Sequence, residues 1–153
     1  MAKIVEGAAA PDFELESAAG PIRSSDFKGK TLVLYFYPKD DTTGCTNEAK
    51  DFSALAPRFA KAGARVVCVS KDSLKSHEKF AAKYGLAIPL GSDPEGKVVE
   101  AFESWVQKKL YGREYMGIDR STFLIEDGVI KRIWRKVKVA GHAQAVLDAA
   151  KAL

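Results

Sequence analysis

Apolar and polar positions follow one another along the chain in the order of an α/β domain. Residues 13–16 alternate as a strand does and turn at 19–21 toward a second short strand at 22–23, which predicts a hairpin near the start. Residues 31–37 then form an uninterrupted apolar and aromatic run that stops at Pro38. A run with no polar face is typical of a central strand that is covered on both sides.

A helical pattern follows this central strand. Between residues 44 and 61 the apolar positions recur at helical spacing, and Gly63 ends the pattern. Pro57 lies inside it, and proline both removes an intrahelical hydrogen bond and clashes with the preceding turn. We therefore expect a kink or break there, with Ser53 as a candidate cap for a second helical segment.

A second strand and helix come next. Residues 65–70 form another apolar strand, and a helix with one apolar face ends at Gly85. The succession of strand, helix, strand and helix predicts a parallel βαβ unit. Beyond it we expect a short helix over 98–102 and an irregular stretch that reaches Gly117.

The end of the chain predicts a hairpin and a final helix. Two strands at 121–125 and 129–134 flank Asp127 and Gly128, one of the strongest short hairpin signals. The apolar positions between residues 143 and 153 share a helical face. The whole pattern predicts an α/β fold in which a mixed central sheet is flanked by helices.

Composition agrees with one domain over residues 1–153, because the chain is 46% hydrophobic and 29% charged and contains no repeat or Gly/Ser linker. The net charge of +4 is small, and we interpret it as a solubility property. No apolar run approaches the roughly 20 residues that span a bilayer, and the start lacks the apolar run of a signal peptide. We expect a cytoplasmic protein without membrane association.

Two cysteines and two histidines are too few for a structural zinc site or a disulfide scaffold, so we expect no metal and no cofactor. Cys45 lies where a helical pattern begins, after the end of the predicted central strand. The free backbone N–H groups at a helix start favour a thiolate over a thiol, and the thiolate is the nucleophilic form. The sequence therefore indicates that Cys45 carries chemistry.

The spacing Pro38-x-x-x-Thr42-x-x-Cys45 resembles the peroxidatic motif of the peroxiredoxins. The longer string over 35–48 resembles the peroxiredoxin Q group, also called bacterioferritin comigratory protein. Further resembling segments cover most of the chain, at 10–15, 69–72, 76–80 and 117–125. The resemblance implies a thioredoxin-like fold with an N-terminal β-hairpin extension.

The implied reaction is attack of the Cys45 thiolate on a hydroperoxide, which forms a sulfenic acid and releases water or an alcohol. The resemblance implies that the Thr42 hydroxyl donates to the peroxide and that Pro38 stiffens the loop and shields the thiolate. It also implies that the Arg120 guanidinium favours the thiolate and stabilises the developing oxyanion.

Two further residues belong to this candidate site. Gly44 either eases a tight turn or lets the backbone approach the substrate, because it has no side chain. Glu48, one turn beyond Cys45, would oppose a thiolate if it were unpaired. We therefore expect a basic residue to engage it, with Arg120 as the candidate.

Many members of the group carry a resolving cysteine five residues after the peroxidatic one, where this chain has Lys50. Only Cys68 remains, and its apolar strand favours an inert core residue over a resolving thiol. We expect a one-cysteine mechanism in a monomer, with an external reductant such as thioredoxin, glutaredoxin or glutathione. The alternatives are a two-cysteine mechanism through Cys68 and a redox sensor or partner-binding protein in which Cys45 oxidation is a signal.

A basic cluster near the end of the chain raises the separate question of nucleic-acid binding. No recognised nucleic-acid-binding module accompanies it, so we expect a solvated face and no nucleic-acid partner. The cluster comprises Lys131, Arg132, Arg135, Lys136 and Lys138.

Overall fold

The computed structural model describes residues 3–153, which form nine strands and four α-helices. The strands are β1 (Glu14–Leu15), β2 (Ile22–Arg23), β3 (Thr31–Phe36), β4 (Ala64–Ser70), β5 (Leu90–Ser92), β6 (Trp105–Leu110), β7 (Arg113–Ile118), β8 (Ser121–Glu126) and β9 (Val129–Trp134). The helices are α1 (Thr43–Lys61), α2 (Leu74–Tyr84), α3 (Lys97–Ala101) and α4 (His142–Lys151). Over residues 3–153, no helix has the length and apolar character needed to cross a membrane.

The central sheet has five strands in the order β5-β4-β3-β8-β9. Its middle strand, β3, pairs in parallel with β4 and antiparallel with β8, which confirms the predicted βαβ unit and the mixed sheet. Successive β3 side chains point to opposite faces. Tyr35 packs in a cluster with α1, α2 and α4, whereas Phe36 packs in a second cluster with α3 and the N-terminal segment.

The predicted N-terminal hairpin is present as the antiparallel pair β1 and β2. It is fastened to the central sheet by a bridge between Glu16 and Ser92 at the end of β5, a short strand that the sequence pattern did not reveal. Leu15 lies against the neighbouring Gly91, where a Cβ atom would stand 2.8 Å from the leucine Cδ1. A side chain at position 91 would force the Leu15 side chain to shift.

The expected break at Pro57 does not occur, because α1 runs without interruption from Thr43 to Lys61. Ser53 does not cap a second segment, since its hydroxyl accepts a hydrogen bond from the Ala87 N–H at 3.0 Å. Phe52 and Phe59 are both fully buried, one on either side of the proline. Packing of this apolar face supplies most of a helix's stability, which explains why one lost hydrogen bond does not end it.

The stretch from residue 103 to Gly117, which we expected to be irregular, contains most of a second hairpin. Strands β6 and β7 pair antiparallel through six residue pairs, and Tyr111 and Gly112 make the turn with positive φ angles of 52° and 77°. Most of the hairpin stands outside the two core clusters, so its strands lack the apolar alternation that marks a buried strand.

Candidate active site

Cys45 lies in the first turn of α1, beyond the carboxyl end of the central strand β3. The carbonyl of Thr42 accepts the Thr46 N–H at 2.8 Å, which closes the first helical turn around the cysteine. The first N–H groups of a helix have no intrahelical acceptor, so their partial positive charge acts on groups at the start of the helix, such as the Cys45 side chain. The Cys45 side chain is nevertheless well enclosed, with 2% of the residue exposed.

The Arg120 guanidinium bridges Cys45 and Glu48. Its Nη2 donates to the cysteine Sγ at 3.4 Å, and its Nη1 donates to Glu48 Oε1 at 2.7 Å. Arg120 lies between β7 and β8, where its own carbonyl accepts the Val137 N–H at 2.9 Å. The expected contact between Arg120 and Glu48 is therefore present. It holds the other guanidinium nitrogen, Nη2, against the cysteine sulfur.

Glu48 is enclosed more completely than its partner, with side-chain exposures of 1% for Glu48 and 18% for Arg120. Burial raises the pKa of Glu48 to about 7, and the positive charge of Arg120 limits the rise. Its Oε2 has no hydrogen-bond partner among the described residues. At neutral pH Glu48 is thus partly protonated, so it withdraws less of the arginine charge from Cys45 than a full carboxylate would.

Gly44 leaves room for the Arg120 guanidinium. It is a helical residue, and a Cβ atom built on it would stand 3.1 Å from Arg120 Nη2. That nitrogen also contacts Cys45, so a side chain at position 44 would push against the donor of the sulfur. The expected reason, backbone approach to a substrate, is thus joined by a packing reason that the sequence did not show.

The structure places Thr42 directly before α1, with its hydroxyl donating to the Lys39 carbonyl at 2.9 Å. A hydroxyl has one hydrogen, and in this arrangement that hydrogen is directed at Lys39. Its oxygen lone pairs remain free to accept a hydrogen bond. Pro38 lies at the start of the same loop and is exposed.

Sequence reasoning missed Asp40, a buried carboxylate in the loop between β3 and α1. Its Oδ1 accepts from the Tyr37 hydroxyl at 2.5 Å, and its Oδ2 accepts from Ser76 and lies 2.7 Å from His77 Nδ1. Burial opposes ionisation, but the hydrogen bonds from His77, Tyr37 and Ser76 hold the pKa of Asp40 below its usual value. Its only signal in the sequence was its place within the string that resembles peroxiredoxin Q.

Asp40, Asp72 and His77 place one potential metal-ligating atom each within 4.8 Å of one another. Those atoms are already used in hydrogen bonds: Asp72 Oδ2 accepts from the Asp40 N–H at 2.9 Å and from the Ser70 hydroxyl at 2.6 Å. Both nitrogens of His77 are likewise engaged. We interpret the group as a hydrogen-bonded network.

Cys68 lies in the middle of β4 with no exposed surface, opposite Tyr35 of β3. Its thiol donates to the Pro89 carbonyl at 3.5 Å. Burial raises the pKa of this thiol well above its ordinary value. These surroundings stabilise the neutral thiol and agree with the expected core residue.

The basic cluster near the end of the chain is partly neutralised by partners of its own. Arg132 lies 3.8 Å from a Glu6 carboxylate oxygen, and Lys131 lies 3.9 Å from a Glu126 carboxylate oxygen. The Arg135 guanidinium donates to the carbonyls of Phe102 and Glu103. These contacts favour a structural and solvated role for the cluster.

The central sheet, with a cysteine at the start of the helix that follows β3 and an arginine donor on its sulfur, is the arrangement of a thioredoxin-like protein. Residues 7–133 match the AhpC/TSA family, and the chain belongs to this family.

The chain is 55% identical over 125 residues to Peroxiredoxin Bcp of Xanthomonas campestris, which covers 81% of this chain and 78% of the relative. It is 49% identical over 147 residues to Peroxiredoxin Bcp of Bacillus subtilis, with 95% and 94% of the two chains covered.

Two solved structures are similar to this chain. The bacterioferritin comigratory protein of Xanthomonas campestris matches with a TM-score of 0.87 at 49% identity, covering 92% of this chain and 90% of the other. The PrxQ of Xylella fastidiosa, solved as a cysteine-to-serine mutant, matches with a TM-score of 0.93 at 40% identity, covering 99% and 98%. The predicted family and the thioredoxin-like fold are confirmed.

Proposed function

We propose that this protein is a thiol-dependent peroxidase in which Cys45 reduces hydrogen peroxide and organic hydroperoxides. The observation that carries the proposal is the 3.4 Å contact between Arg120 Nη2 and Cys45 Sγ at the start of α1. Membership of the AhpC/TSA family supports it, as do the relatives called Peroxiredoxin Bcp. The similar structure from Xanthomonas campestris was studied for alkyl peroxide reduction, which supports organic hydroperoxides as substrates.

In the first half-reaction a lone pair of the Cys45 thiolate forms the sulfur–oxygen bond while the oxygen–oxygen bond breaks. The sulfur becomes a sulfenic acid, and the leaving alkoxide takes a proton to form an alcohol or water. Negative charge moves from sulfur to the leaving oxygen, so fixed donors along that path stabilise the transition state. Arg120 and the free N–H groups of the first α1 turn are the donors that this chain offers.

Thr42 and Pro38 have supporting roles in this proposal. The Thr42 hydroxyl gives its hydrogen to Lys39, so its oxygen accepts the hydrogen bond of the terminal peroxide O–H and turns the attacked oxygen toward the sulfur. Pro38 offers no N–H, and its fixed φ limits the conformations of the loop.

In the second half-reaction an external thiol displaces water from the sulfenic acid, and a second thiol releases Cys45 by forming a disulfide with the first. Cys68 takes no part in the proposed reaction, because its thiol is fully buried and donates a hydrogen bond to the Pro89 carbonyl. Thioredoxin, glutaredoxin and glutathione are the candidate reductants, and they place the protein in a reducing compartment such as the cytoplasm.

We further propose that the protein works as a monomer. Cys45, Glu48 and Arg120 all belong to one chain and contact one another directly, so no second copy is needed to complete the site. Light scattering coupled to gel filtration, on reduced and oxidised protein, tests this point.

The decisive experiment measures peroxide-dependent oxidation of each candidate reductant by the wild type and by Cys45→Ser. We expect many turnovers for the wild type and none above background for the variant. Equal rates for the two proteins would contradict the proposal. Consumption of one peroxide per protein with every reductant would instead favour the redox sensor.

A further inference from the structure

The loop between β3 and α1 is fastened to helix α2 at two successive residues. The inner fastening is Asp40, whose carboxylate accepts from Tyr37 and Ser76 and lies 2.7 Å from His77 Nδ1. The side chains of Asp40 and His77 are 4% and 3% exposed, so this contact is buried on both sides. No step of the proposed reaction uses either group.

The hydrogen bonds of His77 define its protonation state. Its Nε2 lies 3.1 Å from the Gly91 carbonyl, which can only accept, and its Nδ1 faces the Asp40 carboxylate. Both ring nitrogens therefore act as donors, which requires the imidazolium form. The ring ties three parts of the molecule together: α2, the loop before α1, and strand β5.

The outer fastening is Asp41, the next residue of the loop. Its backbone has a φ of 58°, and its carboxylate accepts from Lys83 Nζ at 2.9 Å and from the Tyr84 hydroxyl. His77 lies in the first half of α2 and Lys83 at its end, so the loop is held at two separated points of one helix. The residue after Asp41 is Thr42, which directly precedes α1.

We propose that Asp40 and His77 are positioning residues that hold the start of α1 in the geometry that reacts with peroxide. Asp41 and Lys83 support them in this role. The sulfur contact has two sides. Arg120 is fixed by Glu48 and by the bond of its carbonyl to Val137, while the cysteine side depends on where α1 begins. The contacts of Asp40 and Asp41 with α2 determine where α1 begins and therefore where the cysteine sulfur lies. This inference rests on the proposed peroxidase activity.

The two half-reactions make opposite demands on this loop. Attack on a peroxide requires Thr42, Cys45 and Arg120 at fixed separations, and small misplacements of reacting groups are costly. Attack by an external thiol requires access to a sulfur whose residue is only 2% exposed. Loosening the fastenings should therefore slow the first step and leave the second unchanged or faster.

Rapid-mixing measurements on His77→Gln separate these steps. The glutamine amide nitrogen can donate to Asp40, but the amide oxygen cannot replace the second imidazole donor to the Gly91 carbonyl. We expect the second-order rate constant with hydrogen peroxide to fall about tenfold or more. Reduction of the preformed sulfenic acid by a small thiol should keep its rate or accelerate.

Asp41→Asn provides a milder variant, because asparagine also tolerates positive φ while the charge is lost. It should show the same split with a smaller loss. Lys79→Met is the matched control, since Lys79 is an exposed lysine of α2 without an ion pair to the described residues, and it should change neither step.

Nitrogen-15 spectra of the imidazole in the wild type test these contacts directly, and both ring nitrogens of His77 should carry hydrogen when they face Asp40 and the Gly91 carbonyl. A neutral ring, equal slowing of both half-reactions, or unchanged peroxide rates in both His77→Gln and Asp41→Asn would overturn the inference. An active wild type with unaffected variants refutes only the positioning role. An inactive wild type that matches Cys45→Ser refutes the proposed function itself.

Discussion

Cys45 and Cys68 lie in the same core cluster and are almost equally enclosed, with exposures of 2% and 0%, yet their sulfurs have opposite neighbours. The Cys45 sulfur accepts a hydrogen bond from the guanidinium of Arg120. The Cys68 sulfur donates one to the Pro89 carbonyl. A cation favours a thiolate and a carbonyl favours a thiol, so burial alone does not distinguish a reactive cysteine from an inert one.

The position along the secondary structure explains the different neighbours. Cys68 lies inside a strand that is paired on both sides, with Tyr35 and Leu90, and its backbone groups belong to the sheet. Cys45 lies where a helix begins, so nearby N–H groups lack helical acceptors. The comparison indicates that the end of a strand and the start of a helix can host a charge that the middle of a sheet cannot.

The strongest test of this comparison removes the cation. Arg120→Met should lower the second-order rate constant with hydrogen peroxide by about 10²–10³-fold, because the thiolate and the leaving oxygen lose their charged donor. Stopped-flow measurement of sulfenic acid formation gives the value. Arg120→Lys serves as a control that keeps the charge but cannot hold Cys45 and Glu48 in one fork, and it should recover only part of the rate. A loss of less than threefold in the methionine variant would contradict the role of the arginine.

A smaller effect is expected when the donor is displaced rather than removed. In Gly44→Ala the new Cβ would stand 3.1 Å from Arg120 Nη2, so the guanidinium must shift by a few tenths of an ångström. We expect the peroxide rate constant to fall about tenfold. The free energy of unfolding should stay the same or rise by up to about 1 kcal/mol, because alanine is the better helix former.

The matched control for this substitution is Asn47→Ala, at an exposed position of the same helix. It should leave the rate unchanged. A Gly44→Ala protein that keeps the wild-type rate would show that the arginine can move without loss.

Glu48 allows a test by pH. Its pKa is about 7 in the folded protein against an ordinary value of 4.5, so the folded state binds this proton more tightly than the unfolded state. The free energy of unfolding should therefore fall as pH rises from 4.5 through about 7, and this residue contributes about 3 kcal/mol to the fall. Urea unfolding of the wild type and of Glu48→Gln between pH 4.5 and 8 measures it. The glutamine variant should lose this slope, and parallel curves would contradict the shifted pKa.

The smallest effect is expected at the second cysteine. Cys68→Ser keeps a donor for the Pro89 carbonyl, so steady-state peroxidase turnover should stay within about twofold of the wild type. Mass spectrometry after graded peroxide should show oxidation at Cys45 and a reduced Cys68 in the wild-type protein. If turnover is lost while the first oxidation step is preserved, Cys68 is the resolving thiol and the comparison fails.

The sequence predicted the elements that carry strong local signals. The apolar run at β3, the Asp127–Gly128 hairpin and the amphipathic α2 carry strong local signals, and all three are present. Hairpin β6–β7 escaped prediction because strand pairing, rather than burial, holds most of it, so no periodic pattern marks it. The unbroken α1 escaped because the tertiary packing of Phe52 and Phe59 outweighs the local effect of Pro57.

The candidate site was likewise predictable only where a residue carries a signal of its own. The charge of Glu48 one turn beyond Cys45 predicted a basic partner, and the resemblance offered Arg120 as the candidate that the structure places there. The Asp40 and His77 pair joins residues 37 positions apart, and nothing local marks an aspartate as buried. Likewise the reason for Gly44 lies in the distant Arg120 side chain and appears only once the chain is folded.

The enclosure of Cys45 has a consequence for the oxidants it can meet. With 2% of the residue exposed, a bulky reagent cannot reach the sulfur unless the start of α1 moves. Discrimination among oxidants then depends on their size and shape before it depends on their electrophilicity. Hydrogen peroxide should therefore outcompete larger oxidants, such as disulfides and haloamines, for this thiol.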